Sequence, residues 1–108
     1  MIVYGRAAQR DLAAIRARYA ELGGRPLVER AREALAQAER QMLYAPYAGT
    51  LINRSRGSRR LVLARPLASY GVYYVPPPPG TQPFLVLVLA VLHLRRDPTY
   101  VRRRTRER

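Results

Sequence analysis

The chain has 108 residues, enough for one domain spanning residues 1–108, and its formal net charge is +13 because it has twenty arginines, no lysine and seven acidic residues. Such a charge predicts an anionic partner, which can be a nucleic acid, an acidic protein or an anionic membrane surface. The lack of cysteine excludes disulfides, thiolate metal sites and a cysteine nucleophile, and a single histidine argues against a histidine-rich metal site, so we expect no metal and no cofactor.

The N-terminal sequence MIVYGRAAQRDL has no apolar segment behind a basic start, so we expect a cytoplasmic protein. The apolar run from Phe84 to Leu94 has eleven residues, far fewer than the ~20 that a membrane-spanning helix needs. We interpret this run as core and expect no membrane partner.

The first elements are a short strand in MIVYG and two helices. Apolar residues at steps of three and four predict a helix from Asp11 that ends at Gly23 and Gly24. The same spacing predicts a second helix from Pro26 to Met42. Because only a few residues join them, the two helices should form an antiparallel hairpin.

Three strands are predicted downstream, at Arg59 to Arg65, Ser69 to Val75 and Phe84 to Leu94. The segment Pro76 to Gly80 should lie outside the sheet as a stiff spacer, because prolines donate no ladder hydrogen bonds. Strands that follow helices indicate an α+β class, with the helical hairpin on one face of a small antiparallel β-sheet.

Both faces of the last strand are apolar. Regular alternation places Val86, Val88, Ala90 and Leu92 on one face and Leu85, Leu87, Leu89 and Val91 on the other. Since the hairpin covers one face, the other should be covered by a partner, by the C-terminal segment or within the chain. A face covered only by a partner predicts a free protein that is poorly soluble.

Charges begin abruptly after this strand. Asp97 is a natural N-cap and Pro98 suits a first helical position, so a basic helix or tail is expected over residues 97–108. The arginines emerge there because the sheet ends at Leu94.

The order and spacing of these pieces resemble the ParE/RelE superfamily of bacterial type II toxin–antitoxin toxins. The resemblance lies in GRAAQRDLAAIRARYAELGG, RGSRRLVL, YGVYYV and VLAVLHLRRDP, and the last piece is most similar to the ParE branch. It implies a toxin that poisons DNA gyrase and is neutralised in a hetero-oligomer by an acidic antitoxin wrapped around it. The stretch VPPPPGTQPF is longer and richer in proline than the family pattern, and the role of its Pro76–Pro79 segment is open.

Arginines around the start of the strand predicted from Arg59 form one candidate binding site. Arg56, Arg59 and Arg60 surround a glycine, and guanidinium groups can bind phosphate or carboxylate through two hydrogen bonds. The alternative is a solvated basic loop, and Arg60 is the residue with the strongest expectation of a fixed role.

A second candidate site lies at the end of the last strand, at His93, Arg95, Arg96 and Tyr100. His93 is the one side chain with an ordinary pKa near neutrality, but a structural histidine at the sheet edge is the favoured interpretation. Arg95, Arg96 and Tyr100 are candidates for contacting the target or the antitoxin.

Three functions are compatible with these features. RelE-like, ribosome-dependent mRNA cleavage would use Arg60, His93, Arg95, Arg96 and Tyr100, but the absence of lysine weakens it because arginine is a poor proton donor or acceptor. ParE-like binding of gyrase needs a surface and no catalytic group, and we favour it. A plain nucleic-acid-binding module ranks last, because no recognition-helix pattern is present.

Overall fold

The computed structural model describes residues 1–106, over which five strands and two helical elements follow one another. Their bounds are β1 Ile2–Tyr4, α1 Arg6–Tyr44, β2 Thr50–Asn53, β3 Ser58–Val62, β4 Tyr70–Val75, β5 Val86–His93 and α2 Pro98–Arg106. Glu107 and Arg108, which belonged to the expected basic helix or tail, lie outside the described residues.

Element α1 is broken at Gly24 into two arms, residues 6–23 and 25–44. Gly24 has φ 66° and ψ −158°, a conformation that is nearly restricted to glycine. A straight helix of 39 residues would measure about 58 Å, whereas the longest dimension of the molecule is 41 Å. The element is therefore bent, and residues of both arms, such as Leu12 and Leu35, line one groove. The arms thus fold back on each other, and the predicted helical hairpin is confirmed.

The strands form a single sheet in the order β1-β5-β4-β3-β2. Neighbouring strands are antiparallel except β1, which pairs in parallel with β5 through Ile2 and Val86. The α+β class is thus confirmed, but the sheet is mixed rather than purely antiparallel. The α1 hairpin connects β1 at one edge of the sheet to β2 at the opposite edge, and β1 is left to pair in parallel with β5. Strand β2 was not predicted.

Strand β5 contains a bulge at Leu89. Tyr73 pairs with Ala90 and Tyr74 pairs with Val88, so Leu89 has no opposite residue in β4. The extra residue reverses the side-chain alternation: Val91 joins the core under α1, while Ala90 moves to the opposite face. The predicted grouping of Val86 and Val88 with Ala90 and Leu92 is therefore wrong beyond the bulge.

The second face of the sheet is covered by α2. A small cluster of Tyr73, Ala90, Leu92 and Val101 is buried between them. The C-terminal segment thus supplies the cover, and a partner is not needed for it. Poor solubility was expected for a face covered only by a partner, and α2 covers this face within the chain.

Two further features complete the scaffold. The Pro76–Pro79 segment lies outside the strands, as predicted, and the Tyr47 hydroxyl donates a hydrogen bond to the Pro77 carbonyl. Among residues 1–106, no helix is both long and apolar enough to span a bilayer.

Candidate functional site

A groove of about 520 Å³ lies where β5 ends, between the first arm of α1 and α2. It brings together four predicted residues, His93, Arg95, Arg96 and Tyr100. The other lining residues are Asp11, Ala14, Ile15, Arg18, Tyr70, Val91, Leu92 and Arg104.

The turn between β5 and α2 fixes the position of Arg95 and Arg96. The Leu94 amide donates to the Ser69 carbonyl at 2.8 Å, which holds the chain to the sheet just before this turn. Three residues later Asp97 Oδ1 accepts the Thr99 amide at 2.7 Å, so Asp97 caps α2 as predicted. Both arginines are therefore carried by a short segment anchored at each end.

Tyr100 organises the guanidinium groups around it. The Arg96, Arg103 and Arg104 guanidinium carbons lie 4.8, 5.3 and 5.7 Å from the centre of its ring. Arg104 Nη1 also donates to the Tyr100 hydroxyl at 3.0 Å. Cation–π contacts of this kind hold arginine side chains in place. Tyr100 thus acts as a support for the surrounding cations.

Asp11 joins the three elements of the groove. Strand β1 ends at Tyr4, so the side of β5 that faces β1 is not paired with a strand at Val91, and Asp11 Oδ2 accepts the Val91 amide there at 3.0 Å. The same oxygen accepts Arg104 Nη2 at 2.7 Å, with both side chains largely buried. Burial lowers the pKa of Arg104, but hydrogen bonds to Asp11 and Tyr100 outweigh it and raise the pKa above the ordinary value. This pair ties α2 to α1 and to β5.

His93 has a defined place at the rim of the sheet. Its Nδ1 accepts the Arg95 amide at 3.1 Å, and its ring meets Tyr70 edge-on at 5.5 Å between ring centres. The Nδ1 atom is therefore occupied by the backbone of the turn that follows β5. These contacts favour the structural interpretation of His93.

Arg56, Arg59 and Arg60 do not line this groove. Arg59 Nη1 donates to the Gly49 carbonyl at 2.9 Å, and its guanidinium lies 5.9 Å from the centre of the Tyr47 ring. Arg60 lies across Gly71, and its Nε is buried without a hydrogen-bond partner among the described residues. Arg56 Nη1 donates to the Arg106 carbonyl at 3.0 Å.

Sequence reasoning missed Asp11, Arg18, Tyr70 and Arg104 as groove residues. Helical spacing could have indicated that Asp11 and Arg18 share a stripe with Ile15. Nothing local could have paired Asp11 with Arg104, because 93 positions separate them.

The groove and its surroundings are strongly cationic. Residues 45–106 contain eleven arginines and one aspartate, whereas α1 contains eight arginines and five acidic residues. Within the described chain, Arg18, Arg95 and Arg96 have no carboxylate partner, since Asp11 is paired with Arg104. Residues 1–106 hold no group of three or more acidic or histidine side chains that could bind a metal ion. The arrangement is suited to binding an anionic group.

Comparison with known proteins identifies the fold. No family model matches the sequence, and no curated protein matches it. Eight chains of solved structures do match. One belongs to the structure "Chromosomal ParDE TA system from P. aeruginosa"; it is 17% identical, the match covers 85% of this chain and 92% of that chain, and the TM-score is 0.64. The fold implied by the ParE/RelE resemblance is thereby confirmed: this chain has the α+β fold of a protein from a ParDE toxin–antitoxin system.

Proposed function

We propose that this chain is the toxin of a type II toxin–antitoxin pair, that it inhibits growth by binding DNA gyrase, and that an acidic antitoxin neutralises it. The observation that carries the proposal is the groove at the end of β5. On a fixed scaffold it holds Arg18, Arg95 and Arg96, none of which is paired with a carboxylate of residues 1–106. The likeness of the fold to a chain of a ParDE system supports the choice of a toxin.

An acidic, amphipathic antitoxin segment has a suitable surface between the two arms of α1. An apolar groove of about 190 Å³ is lined there by Leu12, Val28 and Leu35, among others. Arg16 and Arg32 are exposed and belong to the same groove. Apolar side chains of an antitoxin would fill the groove while its carboxylates approach these guanidinium groups.

Binding is favoured over catalysis by the groups in the cationic groove. RNA cleavage needs groups that move protons, and the candidates are His93 and Tyr100. His93 Nδ1 is occupied by the Arg95 amide, and the Tyr100 hydroxyl accepts Arg104. Arg60, another of the residues predicted for a nuclease, does not line the groove. Because His93 and Tyr100 nevertheless share one groove, RelE-like mRNA cleavage on the ribosome is the second candidate.

The proposal is tested with purified protein in a gyrase supercoiling assay and with expression in cells. We expect inhibition of supercoiling, and we expect Arg95→Ala combined with Arg96→Ala to relieve both this inhibition and growth arrest. The matched control is Arg25→Ala combined with Arg30→Ala, which removes two exposed arginines that do not line the groove. Unaltered circular dichroism shows that the variants are folded.

A parallel assay with translating ribosomes separates the two candidates. We expect intact mRNA. Cleavage that Tyr100→Phe abolishes, together with normal supercoiling, would replace gyrase by the ribosome as the target.

A further inference from the structure

The outer surface of α2 and of the turn before it is polar and cationic. The exposed residues from 95 to 106 are Arg95, Arg96, Asp97, Pro98, Thr99, Arg102, Arg103 and Arg106. Apart from the arginines they are one aspartate, one proline and one threonine, and none is aromatic. One large exposed apolar side chain, Leu94 at 37% exposure, directly precedes Arg95, and others, for example Leu43, Tyr44 and Val62, belong to other elements. This surface therefore differs from the apolar groove between the arms of α1.

Arginines run along the whole length of this surface. Arg95 and Arg96 stand before α2, Arg102 and Arg103 lie on it, and Arg106 ends it. Arg56 from the β2–β3 connection joins at the far end through its hydrogen bond to the Arg106 carbonyl. These six residues are termed the arginine track. With nine residues, α2 alone is about 13 Å long.

Several of these side chains are held in position. Arg96 and Arg103 lie over the Tyr100 ring, and Arg102 Nη2 donates to Thr99 Oγ1 at 3.3 Å. Guanidinium groups that are already ordered lose less conformational entropy when they bind. The guanidinium group is planar and weakly hydrated, and it binds two phosphate oxygens through paired hydrogen bonds.

We propose that the arginine track binds the phosphate backbone of duplex DNA without reading its bases. A duplex presents one phosphate per 3.4 Å of axis on each strand, so 13 Å of helix faces about four phosphates of one strand. An acidic protein fits this surface less well, because specific protein interfaces depend on apolar and aromatic anchors that the track lacks. Stacking of single-stranded bases is disfavoured because guanidinium groups surround the Tyr100 ring.

This inference deepens the proposed function and rests on it, because gyrase, the proposed target, acts on duplex DNA. The track includes Arg95 and Arg96 of the groove, so binding of DNA and binding of gyrase would both depend on these two side chains. The DNA binding itself requires neither gyrase nor antitoxin and is measured with the free chain.

The test is fluorescence anisotropy with a short labelled DNA duplex, titrated with purified protein between about 50 and 200 mM salt. Each phosphate contact contributes about 0.9 to the slope of log K against log salt. Arg95→Ala with Arg96→Ala should therefore reduce the slope by about 1.8. If the variant and the unaltered protein bind DNA equally at 1 M salt, a slope difference of about 1.8 makes the variant bind about 60-fold more weakly at 0.1 M salt. A second variant, Arg102→Ala with Arg103→Ala, should behave alike.

The control pair Arg25→Ala and Arg30→Ala removes the same charge outside the track and should leave the slope almost unchanged. An equal loss in this control would show that net charge alone is responsible and would overturn the inference. Competition by poly-glutamate as strong as that by unlabelled duplex would also overturn it, in favour of an acidic protein. Tighter binding of duplex RNA or of anionic vesicles than of DNA would reject DNA as the ligand.

Supercoiling assays on the same preparations separate this inference from the proposed function. Inhibition of gyrase by a protein that does not bind DNA overturns the inference and supports the proposed function. DNA binding without inhibition supports the inference and counts against gyrase as the target.

Discussion

Replacing Asp11 by asparagine should loosen the attachment of α2. The substitution keeps the shape of the side chain and an oxygen that can accept the Val91 amide, but it removes the negative charge that faces Arg104 at 2.7 Å. Arg104 then remains a largely buried cation beside a neutral amide. The substitution therefore removes the charge of the ion pair and keeps the hydrogen bond to β5.

The expected cost follows from the burial of the pair. Removing one partner from a fully buried ion pair costs about 3–5 kcal/mol, whereas exposed pairs are worth about 0–1 kcal/mol. The Arg104 and Asp11 side chains are 17% and 15% exposed, so we expect a loss of about 2 kcal/mol for Asp11→Asn. Asp11→Ala also leaves the Val91 amide without its acceptor and should cost about 1 kcal/mol more.

Urea denaturation measures this loss, and a change of about 2 kcal/mol corresponds to a fall in Tm of about 10 °C for a domain of this size. Hydrogen exchange should accelerate in α2 and at Val91 before it does so elsewhere. Glu33→Gln is the control, because it breaks a pair with Arg40 whose side chains are 66% and 74% exposed, and it should change stability by less than about 0.5 kcal/mol. If Asp11→Asn and Glu33→Gln had equal effects, the Asp11–Arg104 pair would not hold α2 in place.

Two further predictions concern the scaffold. Gly24→Ala should destabilise the protein by about 1–3 kcal/mol, because alanine is strained at φ 66° and ψ −158°; a higher Tm, as expected for alanine inside a continuous helix, would contradict the hairpin. Stability should also fall at alkaline pH, because burial raises the pKa of Tyr19 and Tyr74 in the folded state above the ordinary value near 10. The contribution of these two groups to the free energy of unfolding is complete below about pH 10 and is lost as the pH rises through the folded-state pKa. Urea midpoints on either side of pH 10 measure this loss, which Tyr74→Phe should reduce, and an unchanged loss in that variant would argue against a role for Tyr74.

Local patterns in the sequence predicted the parts of the fold that have local causes. Gly23 and Gly24 between two amphipathic stretches predicted the hairpin, and Asp97 followed by Pro98 predicted the start of α2. The bulge at Leu89 was not predictable, because a strand that is apolar on both faces has no polar residue to reveal a change of alternation. Strand β2 was missed because its four residues follow a turn-rich stretch and carry a weak pattern.

The candidate site shows the same division. His93, Arg95, Arg96 and Tyr100 lie close together in sequence, and the groove unites them. Arg56, Arg59 and Arg60 were predicted as a separate site from their residue type, and they do not line the groove: Arg59 donates a hydrogen bond to the Gly49 carbonyl, and Arg56 contacts the end of α2. Asp11 entered the sequence analysis only as the start of a helix, because its partners Val91 and Arg104 are 80 and 93 positions away.

The pairing of the first strand with the last one has a consequence for synthesis of the protein. The Met1 amino group and the Phe84 carbonyl, which are 83 positions apart, meet at the start of this pairing, so the sheet cannot close until most of the chain has been translated. The nascent chain can form the α1 hairpin early, but β1 waits for β5, and Asp11 waits for Arg104. A chain stopped by a premature termination codon before α2 would therefore lack the α2 side of the groove and three of the six arginines of the arginine track.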